Sequence, residues 1–240
     1  QITDDYMFCK TMSNETICKS FLETLLDIKI EKIEYIQTEK ELVPNYQSRG
    51  IRLDVYVKDS NRIFDLEMQT TDKKDLELRS RYYQGLMDID FLTKNQDYKS
   101  LKESFIIFIC TFDPFGKKMP IYTVKQHFAE KSDIEFNDKT HKIFYNVKEF
   151  SKIQNNIEVK GLLSYLCNKK PTTTLTNSME NAVVENKTNK NWRAEYMFLS
   201  VAIREEIDEG IAEGIQQKLQ QGIEQGIQQG IKQGVEQGIK

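Results

Sequence analysis

The sequence predicts an α/β fold built on an αβββαβ core, with a C-terminal helical Gly/Ile repeat tail behind it. Three observations carry that expectation. An Asp-bearing alternating strand and an E-x-Q strand are joined by a tight turn. A continuous apolar run then follows a helical stretch, and residues 203–239 repeat an aliphatic side chain every fourth position.

The elements follow in chain order. Ile17, Phe21, Leu25 and Ile28 recur at spacings of three and four, so Ser13–Ile28 reads as an amphipathic helix with Ser13 as N-cap. A strand is expected before the turn-rich stretch around Pro44–Gly50. In Ile51–Val57, Ile51, Leu53, Val55 and Val57 alternate with Arg52, Asp54 and Tyr56, the pattern of a half-buried strand. Lys58–Asn61 is a turn. Arg62–Thr70 is the returning strand, with Phe64, Leu66 and Met68 opposed to Ile63, Asp65, Glu67 and Gln69. A helix is expected over Leu76–Leu92, and Phe105–Phe112 is apolar throughout, as in a central strand covered on both faces. Short strands are expected near Ile121–Thr123 and Lys142–Val147, then a helix near Glu149–Cys167. Lys169–Asn191, rich in Thr, Asn, Ser and Lys with Pro171, reads as a polar linker or mobile loop.

Composition sets the bounds. With 30% charged and 39% hydrophobic residues and no apolar run near the roughly 20 residues of a membrane span, membrane insertion is not expected. The chain begins at Gln1, which leaves room for native residues upstream. Cys9, Cys18, Cys110 and Cys167 form no CxxC pair and no dense disulfide framework, which suits a reducing cytoplasm. The net charge is −3, but residues 205–240 hold seven acids against three lysines, so the rest nets about +1. Charge alone thus neither requires nor excludes DNA, for which a local groove of Lys and Arg suffices.

The hairpin carries the chemistry. With its turn at Lys58–Asn61, Asp54 lies nearly opposite Glu67, and Gln69 shares the face of Glu67. Opposed carboxylates repel unless a cation lies between them. Hard oxygen donors suit Mg²⁺, with Mn²⁺ an alternative, and water held by such an ion becomes a nucleophile for phosphodiester hydrolysis. A solvated face on which these acids pair with Arg52, Arg62 or lysines would have the same spacing.

The surrounding order separates the two readings. TDDYMFCK (Thr3–Lys10), GIRLDVYVKD (Gly50–Asp59), FDLEMQ (Phe64–Gln69), RSRYYQGLMD (Arg79–Asp88) and FIIFICTFDPFG (Phe105–Gly116) together resemble the recombination-promoting nucleases, or transposases, of the PD-(D/E)XK superfamily, whose core is restriction-endonuclease-like. The resemblance runs over about Thr3–Pro120. It implies that Asp54 and Glu67 are metal ligands and that Gln69 stands at the superfamily lysine. It also matches Asp5 to an N-terminal acidic residue, and Arg79 and Tyr83 to a helical pair facing the site. Leu53 replaces the name-giving proline. Gln69 brings no charge to the scissile phosphate, so the metal, Arg79 or the Lys73–Lys74 pair must supply more of it.

Other candidates rank lower. Glu15 and Glu23 are expected on a helix surface. Tyr82, Tyr83 and Tyr98 have the rings to stack on bases, although core or hydrogen-bonding roles are commoner. His127 and His141 lack any partner pattern of a ligand or base, and Cys9 and Cys110 read as small core residues.

In the tail, ten aliphatic residues from Ile203 to Ile239 recur every four positions beside seven glycines. A four-residue step turns about 400° on a helix, so the stripe drifts by about 40° each time. Each interior glycine costs about 1 kcal/mol relative to alanine, so the segment needs a partner to be a stable helix, whether another copy, the nuclease core or a separate protein; a disordered, repeat-expanded tail is the other reading. The expected domains are a nuclease-like unit over 1–168, a linker over 169–191 and a helical tail over 192–240. The expected function is a metal-dependent DNA endonuclease linked to recombination, mobile elements or defence, assembling as a homo-oligomer through the tail. A catalytically weak DNA-binding or regulatory module that oligomerises the same way is the alternative.

Overall fold

Two short helices open the chain because two polar residues in extended conformation accept the first free amides. The Asp4 carboxylate accepts from Met7 N and starts α1 (Asp5–Met12). Asn14 does the same through Ile17 N for α2 (Glu15–Leu26). The N-cap of α2 is therefore Asn14, not Ser13. Ser13 keeps right-handed helical angles and donates its amide to Cys9 O, so it closes α1 instead. The computed structural model describes residues 1–43, 49–189, 215–216, 218–223 and 226–227.

Three antiparallel strands follow: β1 (Tyr35–Leu42), β2 (Ile51–Lys58) and β3 (Arg62–Gln69). The β2–β3 turn is fastened by Asp59, whose carboxylate accepts from the amides of Asn61 and Arg62 and from the Arg62 guanidinium. After α3 (Leu76–Phe91) the chain returns as β4 (Glu103–Cys110), parallel to β3. β5 (Ile121–Val124) and the small ribbon of β6 (His127–Phe128) and β7 (Lys131–Glu135) precede β8 (Thr140–Asn146). β8 is parallel to β4 and antiparallel to β5, giving the order β1-β2-β3-β4-β8-β5. The sheet is mixed, and the core is α/β.

The apolar run of β4 has both faces covered. Ile106 to Cys110 are fully buried, with Ile106, Phe108 and Cys110 under α3 in one cluster with Tyr83, Met87 and Phe144. Phe108 stacks on Phe144, with ring centroids 5.3 Å apart. On the opposite face, Tyr145 of β8 donates its hydroxyl to Leu25 O of α2, and Phe8 of α1 meets Phe21 edge-on. The sheet therefore lies between α1/α2 on one side and α3 on the other.

Two expectations need correction. The helix expected over Glu149–Cys167 is a 3-10 segment, Val147–Lys152, followed by α4 (Ile157–Leu166). Asn156 separates them by turning extended and accepting from Val159 N. Within the expected linker, Thr174–Thr188 is a helix, α5, with Leu175, Met179 and Val183 buried at four-residue spacing. Its threonines mislead by composition. Thr173 and Thr176 exchange hydrogen bonds between amide and hydroxyl at 2.9 and 3.2 Å, so residues typical of loops start the helix here.

The chain divides into two compact units, 1–186 and 187–240. Most of the expected tail, 192–240, lies outside the described residues; those described between 215 and 227 are helical. Among the described residues no helix is long and apolar enough to cross a membrane.

Candidate active site

The paired register of β2 and β3 runs from Lys58↔Ile63 to Val55↔Leu66. One step further stand Asp54 and Glu67, and here side chains bind across the strands. Asp54 N donates to Glu67 Oε1 at 3.0 Å, and Met68 N donates to Asp54 Oδ2 at 2.9 Å. Each carboxylate thus satisfies an amide of the opposite strand, so the two are held crossed, and Glu67 faces α3, from which Arg79 reaches it.

Their environment disfavours charge. Burial lifts Asp54 from the usual 3.8 to about 6; the Met68 amide opposes that rise, and the charge of Asp5 adds to it. Glu67 is raised well above the ordinary carboxylate range by burial, then by Asp65 and Asp54. The Asp54 amide and Arg79 pull the other way.

Gln69 and α3 complete the wall. Gln69 Nε2 donates to Glu67 Oε2 at 3.4 Å, while Gln69 Oε1 accepts from Arg79 Nη1 at 2.6 Å. Arg79 Nη2 reaches Glu67 Oε2 at 3.4 Å and donates to the Tyr83 hydroxyl at 2.9 Å. One guanidinium therefore joins the E-x-Q strand to α3. Burial and the neighbouring Glu67 push the Tyr83 phenol up to about 12, so at neutral pH it accepts as an intact hydroxyl.

The remaining sequence candidates divide. Asp5, the first residue of α1, is half-buried, and burial and Asp4 raise its pKa; its charge is among those that raise Asp54. Lys74 pairs with Asp72 at 2.5 Å, so the cation that meets Gln69 is Arg79. Glu23 accepts from Ile30 N, and Glu15 is exposed in the first turn of α2. His141 pairs with Glu103 and stacks on Phe105, His127 is exposed on β6, and Tyr98 is exposed at the start of the 3-10 turn Tyr98–Ser100. Cys110 is buried in the core, and Cys9 is buried with its thiol donating to Asp54 O.

Two features escape a reading by spacing alone. Asp65, two residues before Glu67 on the same face, is fully buried; burial and the charge of Asp54 raise its pKa well above the ordinary carboxylate range, and a side-chain hydrogen bond with Glu67 opposes the rise. Its parity with Glu67 was the available signal. Beside the site, a groove of about 470 Å³ has Arg49, Arg52, Arg79, Asp75, Leu78 and Tyr82 on its walls. Its arginines come from two separate segments, so no motif announces it.

A divalent cation fits the donor set. The charge of Asp54 raises both Glu67 and Asp65, so a hard cation beside the crossed pair would relieve the mutual repulsion of these acids. Among the described residues, however, no group of three or more His, Cys, Asp or Glu side chains is arranged to hold a metal. The protein donors would be the Asp54–Glu67 pair.

No curated protein and no solved structure matches the chain. A family described as PD-(D/E)XK nuclease family transposase matches residues 4–209, which takes in α1, the crossed carboxylates and the whole sheet. The chain belongs to the PD-(D/E)XK nuclease family transposases.

Proposed function

We propose that the chain is a divalent-metal-dependent DNA endonuclease centred on Asp54, Glu67 and Gln69. The observation that carries this reading is the crossed Asp54–Glu67 pair with Arg79 and Gln69 against it, in a chain of a nuclease family. Asp54 and Glu67 would hold Mg²⁺ or Mn²⁺ through carboxylate oxygens. Such an ion supplies Lewis-acid stabilisation of the phosphoryl charge and makes water more acidic.

The side chains do the rest. Arg79 fixes the Gln69 amide by donating to Oε1, which turns Nε2 toward Glu67. The same guanidinium supplies the positive charge that an amide at position 69 lacks, and it lies close enough to the carboxylates to oppose the charge of the attacked phosphate. Tyr83 holds the second guanidinium nitrogen and limits its swing. Recombination or the movement of genetic elements is the biological setting that the family description supports.

We further propose that the tail, 192–240, joins copies of the chain. Ile215, Leu219, Ile223 and Ile227 are all exposed, on residues that are helical where described. An apolar strip of that length calls for a partner.

Supercoiled plasmid tests the activity. Nicking in Mg²⁺ or Mn²⁺, abolished by Asp54→Asn while calorimetric Mn²⁺ binding is weakened in the same variant, is the expected result. DNA binding with no cutting in either metal would overturn it and favour a regulatory DNA-binding module.

A further inference from the structure

We propose that the groove walled by Arg49, Arg52 and Tyr82 holds the DNA strand next to the cleaved phosphate. Arg49 and Arg52 bind a flanking phosphate, and Tyr82 with Leu78 bears on its sugar and base. The inference rests on the nuclease reading of the adjoining carboxylates, and it adds where the strand runs.

Three observations converge on the groove. First, it is continuous with the site, because Arg79 belongs to both: its guanidinium bonds Gln69 and Glu67, and its side chain lines the groove wall. Second, its chemistry is divided as a nucleotide is. Arg49 and Arg52 flank Gly50 and Ile51 on one wall, whereas α3 brings Leu78 (62% exposed) and Tyr82 (39% exposed) to the other. Guanidinium forks match phosphate oxygens, and an exposed aromatic ring offers a face to a base or sugar. Third, the walls are fastened. Tyr82 donates its hydroxyl to Arg49 O at 2.6 Å, which ties the aromatic wall to the basic one. Gly50 lets the chain pass close to Val43, where a Cβ would come within 2.9 Å of the valine Cγ2.

The volume agrees with one nucleotide. About 470 Å³ falls in the range of pockets that enclose a small organic ligand and is far too small for a duplex. The lining also contains Asp75, one carboxylate oxygen of which is buried without a hydrogen-bond partner. Asp75 repels phosphate from the α3 end, so the phosphate is directed toward Arg49 and Arg52. Arg52 has a weak exposed pairing with Glu39 at 3.5 Å, which an incoming phosphate can displace.

The experiment uses the full chain in EDTA, where cleavage cannot intervene, and a fluorescein-labelled DNA 20-mer, single-stranded or duplex. Anisotropy titrations are run across a range of salt concentrations. Arg49→Ala/Arg52→Ala is expected to lower the slope of log affinity against log salt by about two, and Arg49→Lys/Arg52→Lys to restore it. Tyr82→Ala is expected to weaken binding about ten-fold or more with little change in slope, because stacking carries no counterion release. Calorimetric Mn²⁺ binding should be the same in Tyr82→Ala and in Arg49→Lys/Arg52→Lys, which keeps the positive charge that acts on Asp54. An unchanged slope in the folded double alanine variant overturns the proposal, as does an absence of DNA binding by the parent chain. The parent reading fails separately: if Asp54→Asn leaves Mn²⁺ affinity untouched, the metal site is wrong whatever the groove does.

Discussion

Asp54→Asn, made in the metal-free protein, is expected to raise stability at pH 8 and to leave it unchanged at pH 4. Burial and neighbouring acids lift the Asp54 carboxyl from 3.8 to about 6 in the native state. Between those values the folded chain keeps a proton that the unfolded chain has released. Stability therefore falls as pH rises through the window and stays low above it. The shift sets a ceiling of about 3 kcal/mol on what the charge costs at pH 8. Asparagine removes the charge and keeps a carbonyl for the Met68 amide, so most of that cost should disappear. Alanine also removes the charge but strands the Met68 N–H, a loss of about 1–3 kcal/mol, so Asp54→Ala should be close to neutral. Urea unfolding in EDTA, followed by circular dichroism at both pH values, measures the difference. An asparagine variant no more stable than the parent at pH 8, or equally stabilised at pH 4, would refute the reasoning.

Other outcomes follow from the same contacts. Gln69→Lys sets an ammonium against Arg79, 2.6 Å from the present amide oxygen, and should slow plasmid nicking at least ten-fold. Adding Arg79→Ala should recover part of that rate, and parental speed in the single variant would show that the Gln69–Arg79 contact is idle. Tyr83→Phe deletes the acceptor for Arg79 Nη2 and is expected to cost about 1 kcal/mol in urea unfolding. Asp65→Asn should raise the urea midpoint of the metal-free chain at pH 8, since burial and the charge of Asp54 disfavour a carboxylate there; a lowered midpoint would refute that reasoning. Deleting residues 210–240 should lower the mass measured by light scattering and shift products from double-strand breaks toward nicks, and an unchanged mass at matched concentration counts against tail-driven assembly.

Much of the core was legible because its elements obey simple periods. The alternation of Ile51–Val57 and Phe64–Gln69 identified the two strands of the hairpin, in which Asp54 crosses with Glu67 and Gln69 reaches Glu67, but the expected faces do not hold throughout, since Leu53 and Tyr56 share one buried cluster. The apolar run of β4 identified a strand covered on both sides. What spacing cannot express is where a side chain sends its oxygen. Opposed carboxylates suggested repulsion alone, whereas each also accepts an amide from the facing strand, which is why alanine and asparagine should differ. α5 went unread because its threonine-rich start looks like a loop, and the Leu175–Met179–Val183 stripe is only three residues long. The arginine groove was invisible for a different reason. It exists only once β2 and α3, some 25 residues apart in the chain, stand side by side.

The β6–β7 ribbon offers a practical handle. It leaves the sheet just after β5, an edge strand three places beyond β3, which at strand spacing is about 14 Å from the carboxylate hairpin. Its turn at Ala129–Glu130 is exposed. A fluorophore or short affinity epitope inserted there would sit on a self-paired appendage. It would allow single-molecule tracking or surface immobilisation with the cleft left facing the solution.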